Sequence, residues 1–163
     1  MNEISFEEVN PVSIHFQNIS IMHIDIHDKT RLKEIQKVFS DFYPYLQIRF
    51  FRKKHTKYQA SPEEEEVNPE KEIGEIRKTH ISGLLEIHPL YKVSEVEREF
   101  QQRFGLSTQL MQREKGKWVQ TTGLDDFTLK ELNEISRNAS DEFIVSDYDR
   151  GFENEGDKPE KLF

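Results

Sequence analysis

Two stretches of this chain carry the same pattern, and that constrains its architecture more than anything else in the sequence. Ile24-Asp25-Ile26-His27 is followed at helical spacing by Leu32, Ile35 and Phe39. Leu85-Glu86-Ile87-His88 is followed by Val93, Val96 and Phe100. Corresponding positions are 61 residues apart (88 − 27). In each copy, strand alternation gives way to the i, i+3, i+4 stripe of an amphipathic helix.

The segments after the two copies also match. After the first helix, which Thr30 would cap, Val38 and Phe42 extend the stripe and Tyr43-Pro44 marks its end. Leu46, Ile48 and Phe50 then alternate as a strand, and Lys57 to Ala60 reads as a short returning strand. Ser61-Pro62 and Glu63 to Glu66 look like linker, but Asn68-Pro69 is a helix start, with Ile73 and Ile76 on one side of the helix and Gly74 weakening it. In the second copy, Ser94 and Glu97 read as a capping box and Gly105 as the helix stop. Glu114-Lys-Gly-Lys117 is a hairpin turn before Trp118 and Val119, and Thr128 with Glu131 caps a last helix striped by Leu129, Leu132 and Ile135. Lys71-Glu-Ile-Gly-Glu-Ile aligns with Lys130-Glu-Leu-Asn-Glu-Ile at an offset of 59 (130 − 71).

The expected fold is therefore α+β, built from two tandem β-α-β-β-α repeats over residues 18–79 and 80–142. Residues 1–17 form an extension in which Val12 to Phe16 reads as a short strand after Asn10-Pro11, and 143–163 an acidic tail whose Phe143 to Val145, Tyr148 and Phe152 would dock on the body. A strand-helix-strand crossover within one sheet is parallel, so each unit is expected to form a mixed sheet with its helices on one face. Edge-to-edge joining would make one continuous six-stranded sheet.

Composition limits function mainly by exclusion. Charged residues make up 33% of the 163 and hydrophobic residues 34%, so the core is small and relies on its 12 Phe. The absence of Cys excludes disulfides, thiolate metal sites and cysteine nucleophiles. A formal charge of −8 disfavours nucleic acid and anionic membrane as general partners. The acidic start resembles no secretory signal and no apolar run is long enough for a bilayer span, so a cytoplasmic location is expected.

Two polar clusters qualify as candidate sites. His23, Asp25 and His27 share a strand face, with Glu86 and His88 the counterparts of Asp25 and His27 in the second copy. Meeting at a pseudo-symmetric seam, these five could hold a metal or small ligand, although solvated strand faces commonly look the same. Arg49, Arg52, Lys53, Lys54, Lys57 and Tyr58 interleave cations with an aromatic, as nucleic-acid or anion binding requires, with Glu63 to Glu66 placed to neutralise them. Asp125-Asp126 and Asp147-x-Asp149 are paired carboxylates, the first read as favourable charge at a helix start, and Tyr58 and Trp118 as core or seam aromatics. No nucleophile elbow, Walker or dinucleotide glycine motif occurs.

The leading expectation is thus a non-enzymatic interaction or regulatory protein without a cofactor, acting on an unidentified protein partner or as a homo-oligomer. A seam-site ligand or metal module is the alternative, and a nucleic-acid accessory using the basic hairpin comes third.

Overall fold

A computed structural model describes residues 20–140, together with 144, 146 and 147. The readings placed on residues 1–19, on Phe143 and Val145, and on the tail from Tyr148 onward lie outside the described residues. The fold is mixed α+β: β1 (Met22–Ile26), α1 (Leu32–Phe42), β2 (Leu46–Phe51), α2 (Ile73–Ile76), β3 (Gly83–Ile87), α3 (Val93–Phe104), β4 (Ser107–Glu114), β5 (Lys117–Gln120) and α4 (Leu129–Asn138).

The sheet arrangement corrects the sequence expectation. Among the described residues there are two small antiparallel sheets, β1-β3 and β2-β4-β5, in place of a six-stranded or mixed one. The parallel crossover rule governs strands that join the same sheet, and β1 and β2 do not. Each instead finds an antiparallel partner in the other half of the chain, with the slightly stronger antiparallel ladder. Met22, Ile24 and Ile26 alternate inward and join Leu85 and Ile87 in one buried face.

Residues 57–60 do not form a strand either. Lys57 and Tyr58 make a turn, with Tyr58 at φ 65°, and it is Glu66 that returns to bridge Phe51. Arg52 N–H donates to Glu65 O (2.9 Å) and Val67 N–H to Phe50 O (2.8 Å), which ties the acidic run to the body through a 3-10 turn at Glu63–Glu65. The hairpin at Lys115-Gly116 does form, both residues taking the left-handed backbone that a two-residue turn needs.

Helix starts are stitched to one another in pairs. Leu32 and Lys33 N–H donate to Lys71 O and Pro69 O, while Ile73 and Gly74 N–H donate back to Thr30 O and Asp28 O. At the other end of the molecule Val93 and Ser94 donate to Phe127 O and Asp125 O, and Leu129 and Lys130 donate back to Tyr91 O and Pro89 O. The orphan first-turn N–H groups are thus satisfied by neighbouring backbone rather than by Ser, Thr or Asn side chains alone. This moves the caps to Arg31, Glu72 and Lys92, away from Thr30, Asn68 and Ser94, whereas Thr128 caps as its sequence indicates.

One core spans both halves. Phe39, Ile48, Phe50 and Ile73 belong to the same buried cluster as Val96, Phe100, Leu110 and Leu132, with Phe50 and Phe100 edge to face at 5.9 Å. Beyond α4, Ser146 is buried and Ile144 N–H donates to Tyr45 Oη (2.8 Å), which docks this part of the tail on the body.

Candidate functional site

The antiparallel register decides how the first candidate cluster is placed. Ile24 faces Leu85, and pairs on either side of that point separate by two residue steps for every residue of distance from it. His23 consequently faces Glu86 (Nδ1 to Oε1 3.4 Å, both half exposed), and Asp25 faces Leu84. His27 and His88 fall beyond opposite ends of the ladder, about 20 Å apart at the rise of an extended strand. The five residues do not share a cleft, and His88 packs its ring against Tyr91 (5.0 Å). Among the described residues no group of three or more His, Asp or Glu is placed to hold a metal ion.

The basic segment is largely neutralised within the molecule. Arg49 pairs with Glu66 (3.6 Å), Lys53 with Glu65 (3.1 Å), and Lys57 with Asp126 (2.8 Å). Tyr58, 48% exposed, also donates to Asp126. The hydrogen bonds from Lys57 and Tyr58 hold the Asp126 carboxyl below its usual range and push the Lys57 ammonium up. Arg52 and Lys54 are exposed and make no ion pair among the described residues.

Next to this segment lies a cleft of about 310 Å³ bounded by Lys54 and His55, residues of α3, the start of β4, and Asp125. Its buried lining is made by residues to which the sequence pointed wrongly or not at all. Glu97 stands within the apolar stripe of α3, between Val93 and Phe100, and is buried. Its Oε1 accepts from Leu110 N–H (2.9 Å) and Gln109 Nε2 (3.4 Å), so one carboxylate oxygen is held by β4. Burial is the main force that raises the Glu97 carboxyl, to about 7, with Asp125 adding repulsion, while the Leu110 N–H and His55 act against it.

His55 closes one wall. Its Nε2 lies 2.8 Å from Thr108 O and 3.5 Å from Glu97 Oε2, and its Nδ1 lies 3.0 Å from Thr56 O. Both ring nitrogens therefore face oxygen atoms that can only accept from them.

Asp125 is fixed by the helix stitch, its carbonyl accepting from Ser94 N–H (3.0 Å) one turn before Glu97. Asp125 and Thr108 are each 2% exposed, and Asp125 Oδ2 and Thr108 Oγ1 have no hydrogen-bond partner among the described residues. Such orphaned buried polar atoms are uncommon in native proteins and need a specific reason. The Asp125-Asp126 pair was visible in the sequence, but as helix-start charge. The signal that would have found Glu97 is a carboxylate lying inside an apolar stripe.

No protein-family model matches the chain, and no curated protein or solved structure matches it significantly. Among the described residues no helix is long and apolar enough to cross a membrane.

Proposed function

We propose that the protein is a non-enzymatic small-ligand-binding module, derived from a tandem duplication, whose site is the cleft over Glu97, Thr108 and Asp125. The carrying observation is the pair of unpartnered buried polar atoms, Asp125 Oδ2 and Thr108 Oγ1, in two residues that line one cavity. A buried polar atom left unpaired costs about 1–3 kcal/mol, which a bound ligand would offset. Binding is favoured over catalysis because His55 and the Oε1 of Glu97 are committed to backbone partners and are poorly free to move a proton. The duplication is supported by the recurrence of the helix stitch, whose first-helix residues are offset by 61 (93 − 32) and second-helix residues by 56 (129 − 73). On this alignment Ile73 corresponds to Leu129, about one helical turn from the match that the sequence alone suggests.

The test is Thr108→Val, which replaces the orphan hydroxyl with a methyl of the same shape. It should raise stability by about 1 kcal/mol in urea unfolding and abolish ligand-induced thermal shifts in a screen of small polar metabolites. A loss of stability would mean that the hydroxyl is satisfied without a ligand, and the reading would fall.

A protein partner is the second reading. Leu84, 45% exposed, sits on the outer face of the two-stranded sheet opposite Asp25, and Ile81, 53% exposed, lies just before that strand. Sedimentation velocity of the parent and Leu84→Asp tests self-association through this face, and identical profiles would count against it.

A further inference from the structure

We infer that the ligand is a small zwitterion, its protonated amine held by the buried Asp125 carboxyl and its anionic group by the exposed Lys54 and Arg98, all three of which line the cleft. The inference rests on the cleft being the ligand site, and adds what the ligand must carry.

The buried carboxyl selects a donor. An ionised carboxylate only accepts hydrogen bonds, and Asp125 makes no ion pair among the described residues despite its burial. Glu97 does not supply that partner, since one of its oxygens accepts from Leu110 N–H and Gln109 while the other faces His55. His55 cannot serve Asp125 as well, because its two nitrogens already face Thr108 O, Thr56 O and Glu97. A buried carboxyl oxygen with no partner calls for a donor, and a protonated amine brings several.

Two exposed side chains have the reverse sign. Lys57 also lines the cleft but is committed to Asp126, whereas Lys54 and Arg98 are exposed and make no ion pair among the described residues. Both line the same cleft as Asp125, so a ligand within it is offered a buried carboxyl and two exposed cations. A volume of about 310 Å³ is at the small end for ligand pockets and suits an amino-acid-sized molecule better than a nucleotide.

The experiment uses the full chain in calorimetric titration and thermal shift with three probe sets. These are α- and ω-amino acids of two to six carbons, the matching monoamines without a carboxylate, and the matching monocarboxylates without an amine. At least one amino acid should bind, about tenfold or more tighter than its amine and far tighter than its acid. Asp125→Asn, which keeps the shape of the side chain, should weaken amino acids and amines by about 10- to 100-fold. Lys54→Ala with Arg98→Ala, both on the surface, should weaken the amino acids alone.

If the acids bind best, the zwitterion assignment is overturned while the cleft remains a ligand site. If the amines bind as tightly as the amino acids, the role of Lys54 and Arg98 is overturned. If no probe in any set binds, the assignment falls. If in addition Thr108→Val destabilises the protein, the cleft as a ligand site falls with it.

Discussion

Ile24 in β1 sits directly across the antiparallel ladder from Leu85 in β3, the residue 61 positions further along the chain, and both are buried. The same relation holds in the other sheet, where Arg49 of β2 faces Gln109 of β4, 60 positions on (109 − 49). Each half of the chain supplies the sheet partner of the other. Residues 18–79 expressed alone should therefore be unfolded as a monomer, because β1 and β2 lose every strand partner and a lone short strand has no stability in water. Mixing with residues 80–147 should restore the circular dichroism of the whole chain. A folded, monomeric first half in sedimentation and dichroism would refute this.

Glu97 should make stability depend on pH in an unusual direction. Its folded-state carboxyl titrates near 7 against an ordinary value of 4.5, so the folded protein holds a proton that the unfolded chain has released. The stabilising contribution is complete below about pH 4.5, declines as pH rises towards 7, and is absent above it. The full swing is on the order of 3 kcal/mol. Glu97→Gln should match the parent in urea unfolding at pH 5 and exceed it at pH 8. An equal difference at both pH values would sink this account. Asp28 has the opposite sign: hydrogen bonds from Arg77 and His80 hold its carboxyl low, so its contribution is lost on acidification.

Gly74→Ala should destabilise the protein although alanine is the better helix former by about 1 kcal/mol. A Cβ at this position would lie 2.9 Å from Asp28 Cβ and 3.1 Å from Asp28 O, where Gly74 N–H already donates to that same carbonyl (2.8 Å). The backbones approach too closely for a side chain, and relieving the clash should cost about 1–3 kcal/mol net. Thermal denaturation decides this, and a rise in melting temperature would contradict it.

Arg77 is a buried cation whose guanidinium serves three places. Nε and one terminal nitrogen donate to Asp28, while the other terminal nitrogen donates to Ile81 O (2.7 Å) and Phe104 O (3.2 Å). Arg77→Met keeps most of the volume and leaves both carbonyls unpaired, so it should cost about 2–4 kcal/mol in chemical denaturation. Arg77→Lys, with a single ammonium, should recover only part of that. Full recovery by lysine would show that charge alone matters there.

How far the chain could be read in advance depended on whether a residue's role was local. The alternation of β1 was legible because Met22, Ile24 and Ile26 bury one face whatever their partner is. The turn at Lys115-Gly116 was legible because its backbone conformation is a property of those two residues. Helix starts were not, because first-turn N–H groups of α1, α2 and α3 are satisfied by carbonyls 31 to 46 residues distant in sequence (125 − 94 and 74 − 28 at the extremes). Good cap residues such as Thr30 and Ser94 were overruled by that stitch. The same error hid the site, since Glu97 passed for the last member of a capping box while Glu95 takes that role, its Oε2 accepting from Lys92 N–H (2.7 Å). The last helix is likewise rotated from its apparent stripe, with Asn133 and Ser136 buried and Ile135 half exposed. Asn133 faces inward because its Oδ1 accepts from Tyr45 N–H (3.3 Å), a contact across 88 residues.

The strand pairing also dictates when during synthesis the molecule can form. A chain leaving the ribosome has completed β1, α1 and β2 by Phe51, yet β1 gains its neighbour only with Gly83–Ile87 and β2 only with Ser107–Glu114. Until then the strands that carry Met22, Ile24, Ile26, Leu46 and Ile48 have only α1 to pack against and open edges with nothing to pair them. Pairings this distant also form slowly. The first half must therefore be kept from self-association until 36 further residues complete the partner of β1 (87 − 51) and 63 complete that of β2 (114 − 51), which makes the early nascent chain the stage most exposed to aggregation and to chaperone capture.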